Sequence, residues 1–295
     1  MTNKTKLAIL FVVIAWSSAY VGIRAGLESY SPGGLALLRF IIASVAIYFI
    51  YSRRVKRTNI KWQDLLLALL TGAIGIGIYN IALNNGELVV SAGMASFIIS
   101  QSPVITTVLA VIFLKERVTL YGMIGMLISI FGVGLIALSK MEQFDFYIGI
   151  VFVLIATIVG GLYSILQKPL LQKYHAIDIA AYAIWGGALT LLVFIPDLLQ
   201  DIQHASLPAT LTVVYLGLIP AALAYLAWCY ILSQIPASRA VSFLYFCPLV
   251  ATFIEWIWLD EVPTLMALAG GLIALTGVWL INQAFILKSP LLVDD

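Results

Sequence analysis

The sequence predicts an all-α membrane protein of ten transmembrane helices, arranged as two inverted five-helix repeats. Three observations predict it. Hydrophobic residues make up 62% of the 295 and charged residues 10%, with a mean hydropathy of +1.06. A soluble domain carries about 25% charge, so this chain cannot cover itself in water and must be solvated by lipid. The second observation is an internal repeat. Residues 91–136 and 236–281 align without a gap at an offset of 248 − 103 = 145, with Ala95/Ala240, Pro103/Pro248, Leu114/Leu259, Glu116/Glu261, Thr119/Thr264, Gly125/Gly270 and Gly132/Gly277 identical. Such a run of identities marks two copies of one unit. The third is the placement of Lys and Arg, treated below.

The spans follow in order. Span one, 7–27, begins after Lys4 and Lys6, keeps Trp16, Ser17 and Ser18, and shows no small-residue cleavage site, so it reads as a retained helix. Span two, 33–52, contains Arg39. Span three, 62–84, is softened by Gly72, Gly75 and Gly77, and Asn80, Asn84 and Glu87 follow on one face, with Glu87 expected in solvent at the outer mouth. Span four, 92–114, carries Ser96, Ser100, Pro103 and Thr107 at i, i+4, i+7 and i+11. Spans five (119–138) and ten (263–287) each carry two Gly seven apart, a spacing that lets helices approach closely. Span six is 146–167 and span seven 176–196. Span eight, 208–233, has Pro220 at 145 past Gly75, then Tyr225 and Trp228. Span nine, 238–259, repeats the face of span four with Val241, Tyr245, Pro248, Thr252 and Glu255.

Each span should be helical, because backbone polar groups in hydrocarbon must pair within the segment. A lipid barrel would need short alternating strands, and these runs are continuously apolar. The repeat divides the chain at 1–141 and 142–295. Cys229 and Cys247 fall inside spans and read as small buried residues.

Orientation comes from the basic residues. With the N-terminus in the cytoplasm, Lys4, Lys6, Arg53, Arg54, Lys56, Arg57, Lys61, Lys115, Arg117, Lys168, Lys173, Arg239 and Lys288 fall inside, and only Arg24 and Lys140 outside. Both termini are then cytoplasmic, in a multi-pass protein of the cell (inner) membrane. An odd number of spans per copy inverts the second copy. Lys115-Glu116-Arg117 after span four becomes Asp260-Glu261-Val262 after span nine, losing both basic residues, as one loop on opposite sides should. Glu116 and Glu261 each precede a helix start and are expected to meet its positive dipole end.

Two five-helix repeats, a Pro in the fourth helix of each, a Glu closing that helix and a Gly-x6-Gly fifth helix resemble the EamA-type transporters of the drug/metabolite transporter superfamily. The likeness covers nearly the whole chain, and Leu38-Arg39-Phe40 is similar to the family's Leu-Arg-Phe segment. The resemblance implies transport of a small organic solute (an amino acid, another metabolite or a drug-like compound) by alternating access, with export as the expected direction.

Matched helix breaks in inverted halves point to a transporter's binding site, so Pro103 and Pro248 mark its centre. Each leaves the carbonyl four residues earlier, at Ile99 or Leu244, without its helical donor. The substrate-binding candidates are Trp16, Tyr20, Asn80, Ser100, Gln101, Tyr163, Trp228, Tyr245 and Phe246. The aromatic members suit an apolar, aromatic or cationic solute, and the polar ones supply orientation. Arg39 and Glu255 are candidates for a gate or polar network; for Glu255, close to a span end, snorkelling to the headgroups is the favoured reading. Ser96 and Thr107 equally fit interhelical packing.

No Walker A sequence, His-Glu-x-x-His or Gly-x-Ser-x-Gly occurs, and there are only two His, so no cofactor, metal or nucleophile site is expected. The expected partners are a small-molecule substrate and the bilayer, with no nucleic acid, in a monomer or weak homodimer. Two other readings stay open: a lipid flippase or scramblase, which favours a polar groove open to lipid, and an intramembrane enzyme on lipid substrates, which needs clustered carboxylates, His or Ser.

Overall fold

The structure is a computed structural model and describes residues 1–53, 59–102, 104–105, 120–138, 144–235, 240–241 and 243–286. Every regular element among these residues is helical. Six are long and apolar enough to cross a membrane: α1 (Asn3–Gly26), α2 (Pro32–Ser52), α3 (Trp62–Glu87), α6 (Phe144–Lys173), α7 (Ala176–His204) and α8 (Leu207–Gln234). The remaining apolar helices are α4 (Ala92–Ile99), α5 (Leu120–Leu138), α9 (Phe243–Leu259) and α10 (Leu265–Ile286), the first turn of α9 being 3₁₀. Side chains such as Leu10, Phe49, Leu127 and Phe131 face outward, as lipid solvation requires.

Local chemistry explains where the helices start. Thr2, Ser31 and Ser206 each accept a hydrogen bond from a backbone N–H in the first turn of α1, α2 and α8, satisfying one of the free amides of a helix amino end. α1 therefore starts a turn earlier than the apolar run at 7. α6 continues past 167 to Lys173, with Pro169 inside it. α7 also outruns the expected end at 196. After Leu191 a 3₁₀ turn leads to a helical segment, Ile195–His204, with Pro196 in its first turn, where the missing N–H costs nothing. Asp197, Gln200 and Asp201 alternate there with Leu198, Leu199 and Ile202, the pattern of a helix lying along an interface. Asp201 accepts from the backbone N–H and the hydroxyl of Ser31 at 2.9 and 2.7 Å, tying this segment to the start of α2.

α3 and α8 share an irregularity. Ala73–Ile78 and Gly217–Leu223 are π-helical, and they coincide at the 145-residue offset. The glycines of α3 and Pro220 of α8 thus loosen the same turn of each copy.

α5 and α10 pack against each other through glycine. A Cβ on Gly270 would lie 2.7 Å from the Gly132 carbonyl oxygen, and one on Gly277 would collide with the backbone of Gly125 and Ser129. The pairs 125/277 and 132/270 run in opposite directions along the two helices and exchange under the repeat offset. The packing role expected of these glycines is what the structure shows. α1 and α8 are also antiparallel: Gly22 lies on Leu216, while Trp16 bonds to Pro220 nearer the start of α1. So are α3 and α6, with Gly86 against Val153 and Gly75 against Tyr163.

Gly270→Ala should lower stability by about 1–3 kcal/mol, the cost of overpacking a tight contact. Gly134→Ala, where an added Cβ meets nothing within 4 Å, should be neutral. Thermal melts of the two purified variants would expose the error if they proved equal.

Candidate functional site

A cavity opens beside the π turn of α3, which contributes Gly75, and next to the residues that follow the π turn of α8. It encloses about 710 Å³ not occupied by atoms, its open mouth included. α1 contributes Trp16, Ala19, Tyr20 and Ile23, α2 Arg39, and α3 Gly75, Tyr79 and Leu83. Ile99 and Ser102 come from the end of α4 and the turn after it, and Gly160, Tyr163 and Ser164 from α6. Tyr225 and Trp228 of α8, with Val241 and Leu244 at the start of α9, complete the wall. Both repeats supply walls: Leu83/Trp228 and Ile99/Leu244 are pairs at the 145-residue offset, and all four line the cavity.

The wall is aromatic. Trp16 packs against Tyr225 and Trp228 with ring centroids 5.6 and 5.1 Å apart, and Tyr163 and Phe40 meet Tyr225 at 5.8 and 6.1 Å. The tilted and edge-on arrangements suit the ring quadrupoles. Trp16 Nε1 donates to the carbonyl of Pro220 at 3.1 Å, inside the π turn of α8. In α3, Asn80 Nδ2 donates to the carbonyl of Ile76 at 2.8 Å, and Asn80 Oδ1 accepts from Arg39 Nη1 at 3.0 Å. Arg39 is 3% exposed and lies 5.4 Å from the Phe40 ring centroid.

The sequence-derived candidates separate into groups. Trp16, Tyr20, Tyr163, Trp228 and Arg39 line the cavity. Ser100 and Ser96 line a smaller void beside it, shared with Trp16 and Tyr20. Asn80 sits behind the wall, holding Arg39. Gln101 turns to α5, where Ser129 donates to its Oε1. Tyr245 packs toward Val104 and Val278, and Phe246 is 58% exposed. These three do not line the cavity. The reason for Tyr245 and Phe246 is that Phe243–Phe246 is a 3₁₀ turn; its three residues per turn rotate both side chains off the face a continuous α-helix would give them.

Pro103 and Thr107 lie outside the described residues, as do Lys115, Glu116 and Arg117. The approach to Pro103 is described: the Gln101 N–H bonds back to Ile98, and Ser102 Oγ donates to the Ile99 carbonyl at 2.7 Å. The carbonyl that the proline cannot serve is thus satisfied by a neighbouring hydroxyl. Pro248 stands in the first turn of Cys247–Leu259, where a proline fits without breaking a bond.

Two carboxylates differ from expectation. Glu87 is not solvated at a mouth but 0% exposed, and neither of its oxygens has a hydrogen-bond partner among the described residues. Glu255 does not snorkel. It is 0% exposed, and its Oε2 accepts from the Gly93 N–H at 3.0 Å, at the amino end of α4. A carboxylate there meets the positive end of the helix dipole. A Cβ on Gly93 would lie 2.6 Å from that oxygen, so glycine is needed for the approach. Glu261 pairs with Arg24 at 3.4 Å, and it is Thr264 that accepts from the Ala267 N–H at the start of α10.

Sequence reasoning missed Tyr79, Leu83, Ser102 and Leu244 of the wall. Tyr79, Leu83 and Glu87 are spaced by four, a signal masked by the polar residues beside them. It also missed a matched pair of helix-end contacts. Arg24 Nη1, near the end of α1, donates to the carbonyls of Glu87 and Leu88 at the end of α3, at 2.8 and 2.9 Å. Lys168 Nζ, near the end of α6, donates to the carbonyls of Leu232 and, at 2.8 Å, Ile235 at the end of α8. Glu87 and Leu232 are 232 − 87 = 145 apart. Because α1 is antiparallel to α8 and α3 to α6, the two contacts lie at opposite ends of these helices. Each places a cation at the negative end of a helix.

The model of the EamA-like transporter family matches residues 3–138 and 147–283, two copies. The chain is 39% identical over 264 residues to the uncharacterized transporter YdfC of Bacillus subtilis (strain 168), covering 89% of this chain and 86% of that one. It is 36% identical over 281 residues to a probable terminal-alkyne amino-acid exporter of Streptantibioticus cattleyicolor, covering 95% and 94%. A solved crystal structure superposes with a TM-score of 0.67 at 16% identity, covering 98% of this chain and 100% of that one, a likeness of fold.

Asn80→Leu would leave an Arg39 N–H without its acceptor and remove the side-chain bond to the Ile76 carbonyl, which also accepts from the Tyr79 N–H. It should cost about 1–3 kcal/mol or more, since a charged group is involved. A melting temperature equal to the wild type would show that Asn80 holds neither.

Proposed function

The chain belongs to the EamA-like transporter family, and from that premise we propose that it exports a small organic solute across the cell (inner) membrane by alternating access. The observation behind this reading is the aromatic cavity walled by both repeats. Its mostly apolar wall with a few polar groups suits a small molecule. An aromatic cavity fits a bound solute better than the polar, lipid-open groove of a scramblase, and no acid-base or nucleophile constellation argues for an enzyme. The names of relatives, a probable terminal-alkyne amino-acid exporter and a probable amino-acid metabolite efflux pump, make amino acids the solutes to try first.

In this reading ten helices cross the membrane, as inverted five-helix halves at 1–141 and 142–295. Both termini are cytoplasmic, and the protein works as a monomer or weak homodimer. Trp16, Tyr20, Tyr163, Tyr225 and Trp228 hold the solute. The Arg24 contact closes the outer end and the Lys168 contact the inner end. Each must release for its side to open, so an outward-facing state loses the first and an inward-facing state the second.

Two measurements test this. In proteoliposomes with radiolabelled amino acids, Trp228→Ala and Tyr163→Ala should abolish transport, while the lipid-facing Leu127→Ala should retain it; the opposite pattern would place the solute elsewhere. For orientation, Asp260→Cys should label from outside intact cells and Lys173→Cys only after permeabilisation. The native Cys229 and Cys247 are buried and contribute little background. Labelling of both variants from one side would end the inverted arrangement.

A further inference from the structure

The aromatic wall by itself accepts apolar, aromatic or cationic solutes alike. One residue separates these classes. Arg39 is the sole charged side chain among the described residues lining the cavity. A guanidinium stays protonated even when buried, so the cavity holds a fixed positive charge.

That charge is incompletely matched. Nη1 bonds to Asn80 Oδ1, a neutral acceptor, and Nε has no hydrogen-bond partner among the described residues. No described carboxylate lies within ion-pair distance of Arg39. Glu87 is within electrostatic reach, as are Tyr20, Tyr79 and Tyr225, but the Glu87 oxygens bond to nothing described and the residue does not line the cavity. Holding a buried charge without a hydrogen-bonded counter-charge is costly. A ligand that supplies the missing acceptor removes that cost, and guanidinium with carboxylate is the pairing whose planar geometries match.

We propose that Arg39 is the anchor for a carboxylate on the transported solute, so that the cavity selects small aromatic or apolar carboxylates, amino acids included, and rejects amines that lack a carboxylate. The assignment rests on the transport reading of this cavity and narrows its substrate class. The aromatic residues take the body of the solute, Trp16, Tyr225 and Trp228 surrounding one side of it. Arg39 takes the carboxylate from α2, held in place by Asn80. An amine-only cation would meet like charge in the same cavity, a repulsive element that works against the wrong partner as the aromatic wall works for the right one. Phe40, whose ring lies beside both Arg39 and Tyr225, joins the charged end of the site to the aromatic end.

The wild-type protein decides the matter. Binding of 3-phenylpropanoate and of phenethylamine is compared at pH 7 by calorimetry on purified protein in lipid nanodiscs. Both have a phenyl ring and a short chain and differ in the sign of the charge. The carboxylate should bind at least about tenfold more tightly, the scale of one hydrogen bond to a charged group. Equal binding, preference for the amine, or binding of neither overturns the assignment. Arg39→Gln should bring the two affinities within about threefold, well inside the effect of one such bond. If that variant does not fold, Arg39→Lys keeps the charge without the fork and should retain the preference for the carboxylate with weaker binding. The two readings fail separately. Transport of phenethylamine in preference to the carboxylate leaves the carrier standing and removes the Arg39 role. Tight, carboxylate-selective binding with no movement across proteoliposomes leaves the Arg39 role standing and removes the carrier.

Discussion

A helix in hydrocarbon cannot release a backbone carbonyl unless another donor reaches it. Much of the candidate site follows from that constraint. The π turns of α3 and α8 loosen the ladder at the same point of each repeat. In α8 the Pro220 carbonyl takes a hydrogen bond from Trp16, and in α3 the Ile76 carbonyl takes one from Asn80. The first donor brings a large aromatic ring to the cavity wall. The second fixes an amide whose oxygen then holds Arg39. The Ser102 hydroxyl does the same service for Ile99 just before Pro103. Trp16 and Ser102, each a donor to a carbonyl at or beside a proline, are also residues of the cavity wall.

The repeat is symmetric in backbone and asymmetric in side chains. Glycine contacts between α5 and α10 exchange with one another under the 145-residue offset, and so do the helix irregularities. The offset does not preserve the chemistry. Asn80 corresponds to Tyr225, Leu83 to Trp228 and Arg39 to Ile184. One half therefore supplies the charge and its support, and the other supplies most of the aromatic surface. Two copies of one fold enclose a cavity with a polar end and an aromatic end, which a symmetric dimer of identical chains could not do.

The buried carboxylates show where short-range sequence reasoning runs out. Distance from a span end placed Glu87 and Glu255 near water. Both are instead covered by other helices: Glu255 by the amino end of α4, whose Gly93 leaves room for it, and Glu87 by the packing around the end of α3. Burial of a side chain near a helix end depends on which neighbour crosses above it, and a single span's sequence does not contain that neighbour. Glu261 illustrates the same point, since its partner Arg24 is 237 residues away in the chain.

Local signals were enough to establish the class of molecule. Composition demanded lipid, the 145-residue identities demanded a repeat, and glycine spacing marked spans five and ten for close packing without naming the partner, because solvent preference, duplication and close approach are all written in residue type. Five of the residues lining the cavity, Trp16, Tyr20, Arg39, Tyr163 and Trp228, were legible because polar or large aromatic side chains deep in a span seek the interior. The tertiary structure alone decided the rest. A 3₁₀ turn at Phe243–Phe246 rotated Tyr245 and Phe246 off the cavity, Gln101 found Ser129 on α5, and cations on α1 and α6 capped the ends of α3 and α8. Those outcomes depend on helix phase and on which helix end lies against which, quantities set by packing between segments far apart in the chain.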